Sequence, residues 1–208
     1  MTNIPENVCL DGWNAITKAF LGLYPDQPQP LHFSVEVPWA LGGDDPLDGI
    51  SVYDGGDYYH FVTYGFSELY AKESPDQDIS GMGFELTVKL KKSCIRNRDA
   101  ELKNMADILQ ELAAVCFEQE ESFNPYEYIY TGQDSGMDAE AQSKISGFII
   151  LPDALGTIDT SNGKLTFVEL VGVTNKELEP VVNGHWSVQD LADKLGSDVT
   201  DFDRSSLL

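Results

Sequence analysis

The fold is decided by Ser80-Gly81-Met82-Gly83-Phe84-Glu85-Leu86-Thr87-Val88-Lys89-Leu90. After its two glycines, Phe84, Leu86, Val88 and Leu90 alternate with Glu85, Thr87 and Lys89. That strict period of two predicts a strand with one face buried and the other in solvent. Upstream lies Leu41-Gly42-Gly43-Asp44-Asp45-Pro46-Leu47-Asp48-Gly49, a loop whose glycines admit positive φ and whose Pro46 biases Asp45 to extended backbone. Its aspartates read as acceptors for backbone N–H groups. Asp54-Gly55-Gly56-Asp57 is then a turn joining the apolar run Ile50–Tyr53 to the aromatic, β-branched run Tyr58–Tyr64, which predicts a hairpin.

Further out, Trp13, Ile16, Ala19, Phe20 and Leu23 recur at helical spacing over Asp11–Tyr24, with Asp11 as the expected N-cap and Pro25, Pro28 and Pro30 as the stop. Leu31, Phe33, Val35 and Val37 mark a half-buried strand that Pro38 closes or places at a sheet edge. Ala71–Ile79 is polar and aperiodic, an exposed loop. Asp99–Glu121 carries Leu102, Met105, Ala106, Leu109, Leu112, Ala113 and Cys116 at steps of three and four, a long amphipathic helix that Ile108 and Val115 widen. Tyr126–Tyr130 is a short strand. Ile145–Leu151 and Lys164–Thr174 are central strands turning near Ser161-Asn162-Gly163-Lys164, and two short helices follow at Asn175–Val182 and Ser187–Leu195, the second with Ser187 and Asp190 at capping spacing. Strands and helices mix without regular alternation, so the expected class is α+β: a single compact domain with helices on a largely antiparallel, mixed sheet. Residues 1–10 read as a lead-in, 11–197 as the domain and 198–208 as a C-terminal tail.

Thirteen basic against thirty-five acidic side chains give a net charge of −22 on 208 residues. Such a surface repels nucleic-acid backbones and anionic lipid and attracts a basic protein. The charge is uneven: Lys89, Lys91, Lys92, Arg96 and Arg98 cluster, whereas Asp99–Ser143 holds eleven acids with Lys103 as the only base. A solvated face and a docking surface both fit this pattern. Cys9, Cys94 and Cys116 are odd in number and widely spaced, as in a reduced cytoplasmic protein, with Cys116 expected to be buried on its helix. No apolar run reaches membrane-spanning length and the N-terminus does not read as a signal peptide.

Motifs for catalysis are missing. His32 and His60 fall within strand patterns, and neither they nor His185 accompany a Gly-x-Ser-x-Gly elbow. The cysteines and histidines lack zinc spacing, the Asp-rich loop departs from a calcium-binding pattern, and Gly81-x-Gly83 is not a nucleotide loop. No metal or cofactor is expected. Two carboxylates suited to glycoside hydrolysis are bound to occur by chance among so many acids, and a hydrolase is the least supported reading.

The run Leu-Gly-Gly-x-Asp-Pro-Leu-Asp-x-x-Ser-x-Tyr at 41–53, Tyr64-Gly65-Phe66-Ser67-Glu68-Leu69-Tyr70, and Ser80-Gly81-x-Gly83-Phe84-Glu85-Leu86-Thr87 resemble the amino-terminal domain of the Suppressor of fused family. Leu23-Tyr24-Pro25-Asp26-Gln27-Pro28-x-Pro30-Leu31 and the segments Ile158-Asp159-Thr160, Phe167 and Val171-Gly172-Val173-Thr174 extend the likeness over about residues 12 to 180.

The resemblance implies a binding role without catalysis. Animal members restrain zinc-finger transcription factors of the Hedgehog pathway by clamping an extended peptide between this domain and a second one; at 208 residues a single-domain form is expected here. The likeness is therefore to bacterial single-domain relatives read as immunity proteins against toxins, with a regulatory adaptor for an endogenous protein as the alternative. On the family pattern Tyr70 lies at the peptide groove and Asp76 and Asp78 flank an acidic position there, although Tyr70 also suits core packing. Asp45, Pro46, Leu47, Asp48, Gly83, Phe84 and Glu85 are expected to serve the architecture, and a buried Glu85 would require hydrogen-bond partners or neutralisation.

Overall fold

The computed structural model describes residues 9–35, 37, 43 and 45–208. Pro38, Leu41, Gly42, Asp44 and most of the lead-in lie outside them. The elements, in order, are α1 (Asp11–Leu23), β1 (Leu31–Ser34), β2 (Gly49–Asp54), β3 (Tyr58–Tyr64), β4 (Ile79–Lys91), α2 (Arg98–Gln119), β5 (Tyr128–Tyr130), β6 (Ile145–Thr160), β7 (Gly163–Thr174), α3 (Asn175–Val182), α4 (Val188–Leu195) and β8 (Val199–Thr200). The eight strands form one sheet in the order β1-β2-β3-β4-β7-β6-β5, with β8 beside β4. Pairing is antiparallel except where β4 runs parallel to β7 and to β8. This is the expected α+β class.

The period of two in β4 holds, but its second face is not in solvent. Phe84, Leu86, Val88 and Leu90 pack towards α2, meeting Leu102, Met105, Leu109 and Ala113 with Phe148, Ile150 and Leu170. Glu85, Thr87 and Lys89 are also buried. Their face of the sheet is covered by α1, where Ile16 and Phe20 pack on Tyr53, Val62, Tyr64 and Phe167, and by α3 and α4, where Leu178 and Leu191 pack on Ile149 and Val173. Polar alternation therefore marks partners within the protein here, not water.

Smaller departures have local causes. Leu10 holds the N-cap position of α1 without a side-chain bond, and Asp11 is the first helical residue. β1 stops at Ser34, short of Val37; as an edge strand it leaves Leu31 42% exposed while Phe33 reaches the main core. β6 continues past Leu151 to Thr160 because a register shift between Pro152 and Thr157 absorbs the proline that interrupts its apolar pattern. The capping box expected at Ser187 and Asp190 is present, and Thr174 with Glu177 forms another. Residues 198–208, read from the sequence as a tail, pack on the domain: β8 pairs with Lys89–Leu90, Phe202 is buried, and Arg204 donates to both oxygens of Glu177 at 2.6 and 2.7 Å.

Candidate functional site

Glu85 is the deepest anchor of the candidate surface. It is fully buried, and its Oε1 accepts from Ser67 Oγ at 2.6 Å, Ser67 N at 3.0 Å and Gly65 N at 3.1 Å, while Oε2 accepts from Thr63 Oγ1 at 2.6 Å. Burial pushes the carboxyl up to about 7, against the downward pull of these donors. One acid thus fixes the backbone where β3 leaves the sheet. Phe66 follows it into the core, stacked on Phe84 with centroids 4.5 Å apart.

The next acid, Glu68, builds the loop. Its carboxylate accepts from Ser74 N at 2.5 Å, Glu73 N at 2.6 Å, Lys72 Nζ at 2.8 Å and Gly81 N at 3.1 Å. Burial would raise its pKa, but Lys72 and the backbone donors outweigh it and hold the carboxyl at about 2. Lys72 also donates to Ser74 Oγ and to the carbonyl of Ile79, closing residues 72–79 into a ring. Gly81 makes the return possible: its φ is +57°, and a Cβ there would stand 2.7 Å from the Phe66 carbonyl oxygen. On the other side α1 presses against the same segment, with Gly12 so close that a Cβ would lie 2.0 Å from the Glu68 carbonyl oxygen.

Tyr70 emerges from this framework half-buried. Its hydroxyl donates to Asp48 Oδ2 at 2.5 Å, its ring packs beside the α1 core, and Asn162 Nδ2 donates to the carbonyls of Glu68 and Tyr70 at 2.8 and 3.1 Å. Burial, then the bond to Asp48, raises its phenol pKa. Packing and partial exposure thus coexist at this residue. Asp76 and Asp78 are exposed in the loop; Asp76 Oδ1 accepts from Asp78 N at 2.9 Å, and the Asp78 carbonyl accepts from Lys164 N at 2.8 Å.

The motif residues divide by burial. Pro46, Leu47, Phe84 and Glu85 are buried, Asp45 is exposed, and Gly83 has a φ of +83°. Leu47 is tied to α2 through Gln110, which accepts from Leu47 N and donates to Leu47 O, both at 3.2 Å. Sequence reasoning missed Glu68, Asn162 and the pairing of Asp48 with Tyr70. Only the Glu68–Lys72 spacing carried a signal, and outside a helix that spacing is weak.

A second polar cluster lies under α1 and beside α4. His60 is 1% exposed; its Nδ1 lies 2.8 Å from the Tyr24 hydroxyl and its Nε2 3.7 Å from Asp153 Oδ2. Thr87 Oγ1 donates to Asp153 at 2.7 Å, and Lys89 Nζ donates to Glu169 at 3.0 Å and to Asp198 at 2.5 Å. One lysine serves two carboxylates with Asp153 nearby, so burial and the surplus negative charge push Glu169 up to about 8. The row Tyr24–His60–Asp153 has the outline of a nucleophile relay, but its base is sealed from solvent and burial raises the Tyr24 phenol pKa. These contacts hold the sheet together. Among the described residues no group of three or more His, Cys, Asp or Glu side chains is arranged to hold a metal ion.

A sequence profile for the family described as "Suppressor of fused protein (SUFU)" matches residues 43–205. The human Suppressor of fused homolog is 29% identical over 211 residues, a match covering 86% of this chain and 43% of that protein; the mouse homolog gives the same figures. This chain therefore spans less than half the length of those relatives. Among solved structures, a chain from the crystal structure of a Sufu–Fu complex superposes with a TM-score of 0.79 at 29% identity, covering 95% of this chain and 92% of that one. Drosophila Suppressor of Fused superposes equally well, with a TM-score of 0.79 at 27% identity over 97% of this chain and 53% of that one. With both the profile and the fold in agreement, the chain belongs to the Suppressor of fused family.

Proposed function

We propose that the chain is a non-enzymatic, cytoplasmic protein-binding module that masks a basic partner, as an immunity protein masks a toxin. Its binding surface is Tyr70, the 71–79 loop with Asp76 and Asp78, and the adjoining start of β4. The observation that carries this reading is the contrast within the loop: Glu68 and Lys72 consume their charges inside it, while Asp76 and Asp78 stay exposed beside a half-buried tyrosine. A loop already ordered loses little freedom on binding, and exposed carboxylates on a protein of net charge −22 steer a basic partner towards it. Free Cys9, Cys94 and Cys116 agree with a reducing compartment. Among the described residues no helix is long and apolar enough to cross a membrane.

A regulatory adaptor for an endogenous protein is the second reading, favoured by the structural likeness to a chain of the Sufu–Fu complex. Affinity capture from the native cytoplasm at low and high salt separates the two. A basic toxin that is retained at low salt, released by salt and inhibited when bound supports immunity. Retention of a non-toxic regulatory protein supports the adaptor, and failure to retain either removes both. In the same assay Tyr70→Ala should abolish retention while leaving the fold intact; full retention removes the assignment of this surface.

A further inference from the structure

Strand β5 lies at one edge of the sheet, paired to β6 on one side, and no described strand pairs with its other side. Ile129 points into the main core, so its neighbours Tyr128 and Tyr130 share the opposite face, 40% and 47% exposed. Just before β5, Tyr126 N donates to the Ile150 carbonyl at 2.7 Å and Ile150 N donates to the Glu127 carbonyl at 2.9 Å. Two residues therefore face one, and Tyr126 has a φ of +71°. That backbone is costly for a bulky side chain, yet the ring it projects is 52% exposed and does not serve the core. Tyr126 and Tyr128 line a groove of about 820 Å³ together with Glu121, Glu127, Val181 and Val188.

The electrostatics of this groove have one sign. Neither Glu121 nor Glu127 takes part in an ion pair among the described residues, and no Lys or Arg occurs between Lys103 and Lys144. The C-terminal end of α2 arrives beside Glu121 with no basic residue in its last turn, so the partial negative charge of its carbonyls adds to the carboxylates. An open strand edge offers backbone hydrogen bonds to an extended chain, and tyrosine faces attract cations. We infer that the β5 edge is a docking site for an extended, lysine- or arginine-rich segment of another protein, which adds to the sheet as a strand and lays its cationic side chains over Tyr126 and Tyr128. A second copy of this chain would bring the same acids to the groove, and nucleic acid would bring phosphates; both are repelled. The surface shares no residue with the Tyr70 surface and stands without it.

The test uses a synthetic peptide of alternating lysine and valine, with its glutamate–valine counterpart as control, titrated into the whole protein by fluorescence anisotropy and by amide NMR. The lysine peptide should bind, weaken with salt and shift the amides of residues 126–131, while the glutamate peptide should not bind. The doubly substituted Y128K/Y130K protein should bind it at least about tenfold more weakly, and Y128F/Y130F, which keeps the rings, should bind as the parent does. Both pairs alter exposed side chains, and an unchanged melting temperature checks their fold. Absence of binding, equal binding by Y128K/Y130K, or shifts confined to other residues overturns the inference. A dimer of the protein alone that Y128K/Y130K disperses assigns the edge to a second copy, which also overturns it.

Discussion

The hydroxyl of Tyr70 donates to Asp48 at 2.5 Å, joining the residue proposed for the binding surface to the Asp-Pro-Leu-Asp turn before β2. Architecture and surface share this bond. Tyr70→Phe should keep the ring's packing, lower stability by about 1 kcal/mol and leave Asp48 as a half-buried acceptor without this donor. Asp48→Ala should lower stability by about 1–3 kcal/mol and weaken partner binding only through that loss. Denaturant midpoints measured beside affinities decide this: a binding defect in Asp48→Ala at unchanged midpoint contradicts the structural role of Asp48.

The buried acids set the direction of the pH dependence. Glu85 titrates at about 7 and Glu169 at about 8 in the folded protein, above the ordinary 4.5. The folded state binds these protons more tightly than the unfolded state, so their effect on stability worsens as pH rises from about 4.5 through about 7 to 8. The melting temperature should therefore rise on acidification from mildly alkaline pH to about 5. Glu85→Gln, which keeps an acceptor for Ser67 and Gly65, should remove the Glu85 share of that dependence and leave the Glu169 share. A parent melting temperature that falls steadily between about pH 8 and 5 contradicts this account of both acids.

Glu68 behaves in the opposite sense. Held at about 2, it contributes stability that is present above its ordinary pKa of 4.5 and lost as pH falls towards 2. Glu68→Ala removes the acceptor for Glu73, Ser74 and Gly81, so hydrogen exchange at those three amides should accelerate while the core amides of β4 keep their protection. Unchanged exchange at Ser74 would show that Glu68 does not order the loop.

Lys89 is a test of the second cluster. Truncating it removes the donor shared by Glu169 and Asp198, and Lys89→Ala should cost about 1–3 kcal/mol at neutral pH. Adding Glu169→Gln should cost less than its effect in the parent, because the two side chains share one hydrogen bond that is already lost. Strict additivity of the two changes in a double-mutant cycle would deny the coupling.

Helices and hairpins were legible in the sequence because each depends on neighbours. The stripe of Leu102, Met105, Leu109 and Ala113 specifies α2, and Gly55-Gly56 specifies the β2–β3 turn. What escaped depended on contacts distant in sequence. Nothing near Thr87 or Lys89 announces Asp153, Glu169 or Asp198, so the polar face of β4 read as solvent. The strand in Leu155–Thr160 was hidden by Pro152 and Gly156, which make sense only with the register shift in hand. At the candidate site, family resemblance pointed to Tyr70 and to Asp76 and Asp78, but the role of Glu68 follows from a ring of backbone donors that no side-chain pattern encodes.

The placement of β8 has a consequence for the order of events on the ribosome. β4 takes its parallel partners from β7, whose first residue is Gly163, and from Val199–Thr200, while Phe202 closes the core beneath it. A nascent chain emerges from its N-terminus, so the central strand is made long before the residues that flank it. Until they follow, β4 carries an unpaired edge next to the aromatic hairpin β2–β3, the kind of edge that recruits other chains. Pairings this distant in sequence raise the contact order of the domain, and higher contact order goes with slower folding.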